Sequence, residues 1–250
     1  MKPNCECMGP FIFPVITCKN LNDEKEAARI KRLRFPIGNI GKFSFFDSKI
    51  TKFDSFKMPI ELRIKFIQIE RTKITEIDLF AFFASRFTLQ RLQITHNNLK
   101  RLRFSDLRYF ESLQYLDLYY NSLKSVEDNA FGFNPFLKSI DLSFNSISYI
   151  GSYAFYELPN LRNLDLRFNK LKIVNNNAFT SRMPPPNLHD SLTLDLSHNQ
   201  MFLIAEDAFT RTVFKKLDLS HNRLKRFESK HFEPIVNTMV ALREGTILVE

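Results

Sequence analysis

A unit of 24 residues is repeated three times without interruption between Leu113 and Phe179. Apolar residues stand at positions 1, 4, 6, 11 and 14 of the unit, asparagine at position 9 and phenylalanine at position 19. The copies are Leu113, Leu116, Leu118, Asn121, Leu123, Val126, Phe131; Leu137, Ile140, Leu142, Asn145, Ile147, Ile150, Phe155; and Leu161, Leu164, Leu166, Asn169, Leu171, Val174, Phe179. A fixed period of this length predicts a solenoid of stacked coils, each of which buries its apolar side against its neighbours.

The residues around positions 4 and 6 alternate between apolar and polar, which predicts one short strand in each coil. Stacked coils would join these strands into a parallel sheet with a spacing of about 4.8 Å. The asparagine would turn the chain out of the strand and pair buried backbone groups of its own coil and the next. The phenylalanine would close the side opposite the sheet. The predicted asparagine ladder is Asn97, Asn121, Asn145, Asn169, Asn199 and Asn222.

The spacing fits the leucine-rich repeat, and degenerate copies extend it in both directions. Ser48 and Thr72 stand at the ladder position of two earlier copies. A step of 30 residues, containing Pro184-Pro185-Pro186, follows the third regular copy and predicts a loop. We therefore predict an α/β fold over residues 37–250. It would have eight to nine repeats, a curved parallel sheet on the concave side, and loops and short helical turns on the convex side. A last strand is expected at Thr246 to Val249, with a C-terminal cap that is missing or truncated.

The three cysteines, Cys5, Cys7 and Cys18, all lie near the start of the sequence. Their arrangement resembles the cysteine-rich N-terminal cap of extracellular leucine-rich-repeat proteins, although Lys2 stands before Pro3 where the first cysteine of the usual Cys-Pro opening would be expected. The resemblance implies a Cys5–Cys18 disulfide, an unpaired Cys7 and a cap over residues 1–36. Reduced thiols in a cytosolic protein and a three-ligand zinc site are the alternatives. Helix-forming residues behind an Asn-x-Asp-Glu start predict a short helix between Asn22 and Arg32.

Two further stretches resemble one particular group of leucine-rich-repeat proteins. Phe66 to Ile77 (FIQIERTKITEI) and Ala81 to Ser85 (AFFAS) are similar to arthropod proteins named for the non-catalytic subunit of oplophorus luciferase. That resemblance implies a secreted, extracellular binding subunit whose catalytic partner is a separate polypeptide. It also implies no catalytic residues and no cofactor in this chain.

The variable strand positions are expected to face the concave side and to bind a protein partner. One column, at position 5 of the repeat, carries an aspartate in five successive copies, and another, at position 8, is largely aromatic or histidine. The alternative is that both columns are only what the repeat consensus contains. Aromatic and arginine residues dominate binding hot spots, and this preference guides the choice of residues within the columns. The predicted partner-binding residues are Tyr115, Asp117, Tyr119, Tyr120, Asp141, Phe144, Asp165, Arg167 and Phe168.

Other chemistry has weaker support in the sequence. Asp195, His198, Asp218 and His221 lie in adjacent repeats, but the two residue types occupy different columns, which disfavours a metal site. No hydrolase, metalloprotease or phosphate-loop motif occurs, so we expect no enzyme activity.

Charge and hydropathy suggest further expectations. The net charge is +9, and basic residues cluster after the ladder at Lys100-Arg101-x-Arg103, Lys170 with Lys172, and Arg223 with Lys225-Arg226. These would form a flank suited to an acidic polysaccharide, with a merely solvated surface as the alternative. Nucleic acid is not expected as a partner. The sequence contains no apolar run long enough to predict a transmembrane helix, and no leader precedes the cysteines. It therefore favours a mature, secreted protein.

Overall fold

The computed structural model describes residues 5–9, 13–23, 25–26, 38–53, 62–182, 191–225 and 246–249. Fifteen strands are present in these residues. In chain order they are β1 (Cys5–Met8), β2 (Val15–Lys19), β3 (Asn39–Phe46), β4 (Arg63–Glu70), β5 (Arg91–Thr95), β6 (Tyr115–Asp117), β7 (Ser125–Val126), β8 (Ser139–Asp141), β9 (Tyr149–Ile150), β10 (Asn163–Asp165), β11 (Ile173–Val174), β12 (Leu192–Asp195), β13 (Leu203–Ile204), β14 (Phe214–Asp218) and β15 (Thr246–Leu248).

Eleven of these strands form one sheet in the order β1-β2-β3-β4-β5-β6-β8-β10-β12-β14-β15. Its first pair is antiparallel and every later pair is parallel. Equivalent repeat positions lie directly opposite one another, as Leu116 does with Ile140 and Ile140 with Leu164. The register also survives the 30-residue step, since Leu164 pairs with Leu194. The predicted parallel-sheet solenoid is confirmed, and its strands from β3 to β14 span about seven turns.

The core is one continuous apolar cluster that runs through all the described coils. Leu118, Leu142 and Leu166 are each 0% exposed, as the alternation around the sheet predicts. On the opposite side of the core, the phenylalanines of position 19 stack from coil to coil. Ring centroids are 5.5 Å apart for Phe131–Phe155 and 5.7 Å apart for Phe155–Phe179. Two apolar columns therefore hold each coil to the next, which is why no coil needs a core of its own.

The asparagine ladder ties the coils together by hydrogen bonds. Asn145 Nδ2 donates to the carbonyls of Leu118 (3.0 Å) and Leu142 (3.1 Å), and its Oδ1 accepts from the amide of Leu123 (3.0 Å). Each position-6 carbonyl in this region is shared by two ladder side chains, so that Leu142 also accepts from Asn169 Nδ2. The ladder satisfies backbone groups that the turn takes out of the sheet.

In the two earlier coils, shorter side chains replace the ladder asparagine. Ser48 Oγ accepts from the amide of Leu21 and donates to the carbonyl of Phe46. Thr72 Oγ1 instead donates to Asn97 Oδ1 in the next coil. The ladder is therefore continued with fewer bonds where the repeat is degenerate.

The start of the solenoid is closed by the hairpin of β1 and β2. Cys5 and Cys18 lie opposite each other in this hairpin and are joined by a disulfide, while Cys7 is an exposed free thiol. The antiparallel β1 covers the edge of β2, whose other edge pairs with β3. The disulfide agrees with the pairing that the resemblance implied.

Several predictions fall wholly or partly on residues that the structure does not describe. The helix expected between Asn22 and Arg32 and the loop containing Pro184-Pro185-Pro186 lie largely outside the described residues. The division into a cap of 1–36 and a solenoid of 37–250 therefore stays a prediction.

In the described part of the chain, the convex side consists of turns, two 3-10 helices and two small parallel ladders, β7 with β9 and β11 with β13. The 3-10 helices are Leu79–Ser85 and Phe104–Tyr109. Asp78 caps the first by accepting from the amide of Phe80 at 3.0 Å. Among the residues described, no helix has the length and apolar character needed to cross a membrane.

Candidate functional site

Five aspartates form a straight row on the concave face, which we call the aspartate column. Strand register places them directly opposite one another from β6 to β14. The column consists of Asp117, Asp141, Asp165, Asp195 and Asp218. Each Oδ1 accepts from the backbone amide two residues later, at 2.9–3.1 Å. These bonds close the strand end in each coil and bring five carboxylates together at the spacing of sheet strands.

Two carboxylates of the column, Asp165 and Asp117, are harder to ionise than an ordinary aspartate. Burial raises the pKa of Asp165 to about 6, and the neighbouring Asp141 and Asp195 add to this, although the amide and the guanidinium of Arg167 partly offset it. Burial and Asp141 likewise raise the pKa of Asp117. At the end of the column, burial would raise the pKa of Asp218, but the hydrogen bonds from Ser220 and Lys216 lower it below its usual value. Burial, reinforced by like charges in register, thus makes ionisation of Asp165 and Asp117 unfavourable.

We expect Asp165→Asn to stabilise the protein at neutral pH and to have much less effect in acid. The folded-state pKa of Asp165 is raised, so ionisation costs stability as the pH rises from about 4 to about 6, and the cost persists above that window. The asparagine Oδ1 can still accept from the amide of Arg167. The melting temperatures of both proteins between about pH 4 and pH 7.5 give the measurement.

Asp218→Asn is the matched control, because the pKa of Asp218 is lowered and its ionised form stabilises the fold. That variant should be destabilised at neutral pH and should approach the unsubstituted protein as the pH falls. If both variants show the same pH dependence, the assignment of opposite roles to the two carboxylates is wrong.

Beside the aspartates, six aromatic and imidazole rings stand along one edge of the concave face, and we call them the edge stack. Its members are His96, Tyr120, Phe144, Phe168, His198 and His221. All occupy position 8 of the repeat and have φ between 52° and 54°, the left-handed region. That conformation is unfavourable for bulky residues, and it is imposed here by the turn that leads into the ladder asparagine.

The rings of the edge stack contact one another face to face. The centroids of Phe144–Phe168, Phe168–His198 and His198–His221 are 4.3, 4.2 and 4.2 Å apart. His96–Tyr120 and Tyr120–Phe144 continue the stack at 5.1 and 6.3 Å. Tyr120 is 53% exposed and Phe168 is 40% exposed, so one side of this row remains open to solvent. A row of exposed rings is a typical recognition surface.

A third column, toward the start of the sheet, has a different composition. Lys42 lies over the ring of Phe66 at 4.6 Å, and the Arg91 guanidinium lies 5.6 Å from Phe66 and 4.6 Å from Tyr115. Cations and rings thus alternate along position 3 from β3 to β6. Position 3 thus carries cations in β3 and β5, and the aspartates of position 5 begin in β6.

The nine residues predicted to bind a partner lie together on the concave face and its edge, in β6, β8, β10 and the turns that follow them. The ring of Tyr119 packs beside the edge stack, 5.0 Å from His96 and 5.2 Å from Phe144. The prediction left out His96, His198 and His221, although their shared repeat position indicated that they continue the row. Arg167 is paired with Asp165 at 3.1 Å. Whether these residues bind a partner stays a prediction.

The predicted basic flank is less continuous than the aspartate column. Lys100, Lys124 and Lys172 occupy the same position after the ladder in their coils, and all three are exposed. Ser148 and Phe202 stand at that position in the intervening coils, as the backbone bonds Ser148 N to Lys124 O and Phe202 N to Lys172 O show. Arg226 lies outside the described residues. Polysaccharide binding by this flank stays a prediction.

A groove of about 640 Å³ opens on the other side of the molecule, between the turns around the two 3-10 helices. Two of its carboxylates have local structural roles, Asp78 as a helix cap and Asp106 in an ion pair with Arg103 at 3.6 Å. Within the described ranges, no three histidine, cysteine or acidic side chains are grouped so as to hold a metal ion.

Comparison with known proteins identifies the same kind of repeat as the fold does. A family model described as "Leucine rich repeat" matches residues 87–147 and 135–181. Together with the register of the sheet, this match shows that the chain has the fold of a leucine-rich-repeat solenoid. No curated protein sequence matches it.

Two solved structures share the fold. One is the crystal structure of a TLR13–ssRNA13 complex, with 17% identity and a TM-score of 0.68 over 94% of this chain and 35% of that chain. The other is a leucine-rich-repeat protein of Leptospira interrogans, LIC12759, with 20% identity and a TM-score of 0.59 over 92% of this chain and 52% of that one. This chain therefore spans about a third and about half of their lengths. The resemblance to the luciferase subunit stays a prediction.

Proposed function

We propose that this chain is a non-enzymatic binding scaffold that captures a partner protein on its concave sheet, with the edge stack as the main contact. The exposed row of stacked rings is the observation on which this proposal depends. A soluble surface rarely keeps so many aromatic side chains in one line unless another molecule covers them. Here they also stand on left-handed backbone, where asparagine or glycine would fold more easily.

We propose further that the scaffold works outside the cell. The Cys5–Cys18 disulfide supports this, because disulfides persist in oxidising compartments. Mass spectrometry of the protein from its natural source should find Cys5 and Cys18 linked. If both are recovered as thiols after rapid alkylation, the extracellular assignment is wrong.

The double substitution Phe144→Asn and Phe168→Asn should abolish partner capture without harming the fold. Asparagine tolerates the left-handed conformation of both positions, so the loss of ring stacking is offset by relief of backbone strain. Capture should fall at least about tenfold, since two hot-spot rings are removed. A pull-down from source extract, followed by identification of the captured protein and a binding titration with that protein, provides the measurement.

Phe133→Asn with Phe136→Asn is the control, because these two phenylalanines are even more exposed, at 54% and 55%, but lie outside the sheet, in the segment that leads into β8. A photo-crosslinking residue at exposed Asn163, on the concave strand β10, should label the partner, whereas one at Phe136 should not. Undiminished capture by the Phe144 and Phe168 variant, or labelling from Phe136 alone, would overturn the concave site.

A further inference from the structure

The charge of the concave face indicates what kind of partner it fits. From β6 to β14, positions 3, 5, 7 and 8 of the repeat contain the five aspartates and, besides the histidines of position 8, two basic residues, Arg167 and Lys216. Both are already paired within the column, Arg167 with Asp165 at 3.1 Å and Lys216 with Asp218 at 3.0 Å. This part of the face is therefore acidic in a chain whose net charge is +9.

Three aspartates of the column have no ion-pair partner among the described residues: Asp117, Asp141 and Asp195. The hydrogen bonds that these carboxylates accept all end on Oδ1. The second oxygen of each can therefore accept from an incoming donor. Burial and repulsion within the row already raise the pKa of Asp117, so a cation placed there would relieve an existing cost.

The edge stack adds a second requirement on the occupant. The faces of these rings are covered by one another, and their exposed edges lie three residues along the chain from the carboxylates, with Tyr119 between them in the coil of β6. The aliphatic stems of arginine and lysine pack against apolar side chains while their cationic groups remain free to pair with carboxylates. Arginine fits best, because its guanidinium forms two hydrogen bonds at once.

We propose that the concave face from β6 to β14 binds an extended, arginine- and lysine-rich segment of the partner protein. The inference rests on the proposed function and specifies the partner for the same site. The cationic side chains pair with Asp117, Asp141 and Asp195, and their aliphatic stems lie against the exposed edges of Tyr120, Phe144 and Phe168. The basic column of Lys42 and Arg91 repels such a segment and so limits it to the acidic part of the sheet.

The same surface disfavours a single-stranded nucleic acid, which also stacks on aromatic rings. Its phosphates would lie beside five carboxylates, whereas nucleic-acid sites surround the backbone with basic residues. Nucleic acid is therefore an outcome for the test to exclude.

A labelled oligo-arginine peptide of about seven residues is a suitable probe, because at about 3.3 Å per residue it spans the five strands of the column. The net charge of the protein opposes its binding elsewhere. At an ionic strength of about 0.15 M, we expect the peptide to bind the intact chain and to compete with the captured partner. The variant Asp141→Asn with Asp195→Asn, which keeps the Oδ1 acceptors, should weaken peptide binding at least about tenfold.

Glu111→Gln with Glu127→Gln makes the same change in net charge on exposed residues away from the concave face, and it should alter binding less than about twofold. Equal losses in both variants, or tight binding of an oligouridylate that survives in the aspartate variant, would overturn the inference. Suppose that the Phe144 and Phe168 substitutions abolish partner capture while oligo-arginine neither binds nor competes. The proposed function then stands and the basic segment is wrong.

Discussion

Asn145→Ala is expected to destabilise the fold by about 3 kcal/mol, although the side chain it removes contacts no partner and no catalytic group. Asn145 lies in the buried ladder and makes four hydrogen bonds to backbone groups of two coils. The carbonyls that it serves keep another donor: Asn121 for Leu118, Asn169 for Leu142, and Tyr120 N for Ser143.

The amide of Leu123 is different. Its hydrogen bond among the described residues ends on Asn145 Oδ1, so alanine leaves a buried donor unpaired. An unpaired buried amide costs about 1–3 kcal/mol, and the lost bonds add to this. Urea unfolding measures the total. Hydrogen exchange at the Leu123 amide should rise well beyond that of the surrounding amides.

Asn163→Ala is the control for this prediction. Asn163 is also an asparagine of the central coils, but it is exposed on the concave strand. Its substitution should change stability by less than about 0.5 kcal/mol. A loss of the same small size for Asn145→Ala would show that the ladder is not a source of stability.

Gly151→Ala should cost about 3 kcal/mol or more, because there is no room for a methyl group at this position. A Cβ on Gly151 would lie 2.6 Å from Asp128 Cα and would also overlap the Asp128 amide nitrogen and Oδ1. Backbone cannot move aside as a flexible side chain does. Two coils are held together at this contact, since Ser152 N donates to Asp128 Oδ1 and Gly151 N donates to Val126 O. The alanine would therefore force neighbouring coils apart.

Thermal unfolding of Gly151→Ala and of the exposed Ser148→Ala in the same coil tests this steric argument. The serine variant should melt within a few degrees of the unsubstituted protein. Adding Asp128→Ala to Gly151→Ala should not restore stability, because the clash with the backbone remains. Full rescue by that second substitution would mean that only the carboxylate was in the way.

The repeat made the fold predictable because it specifies burial position by position. The leucines of positions 4 and 6, the ladder asparagines and the phenylalanines of position 19 were all placed correctly from their spacing. The disulfide also agreed with the resemblance that implied it. The contacts between neighbouring coils at these positions depend mainly on the spacing of the side chains along the chain. That spacing can be counted in the sequence.

The binding surface was predictable only in part. Column membership followed from spacing, but the face-to-face contact of Phe144, Phe168 and His198 depends on ring rotamers and on the left-handed turn. The interleaving of Lys42 and Arg91 with Phe66 was not predicted, because those coils are degenerate and the repeat specifies no residue type at position 3. Sharing of one carbonyl by two ladder asparagines likewise needs coordinates, since it depends on distances across coils.

The coil-by-coil repetition of the concave face has a consequence for any ligand that lies across it. A surface that looks the same after each step of about 4.8 Å offers several equivalent alignments, offset by one coil. Two features remove that ambiguity: the change of charge between Arg91 and Asp117, and the change from phenylalanine to histidine between Phe168 and His198. These two features distinguish the two ends of the site, so that a segment with a matching pattern can lie on this face in only one position.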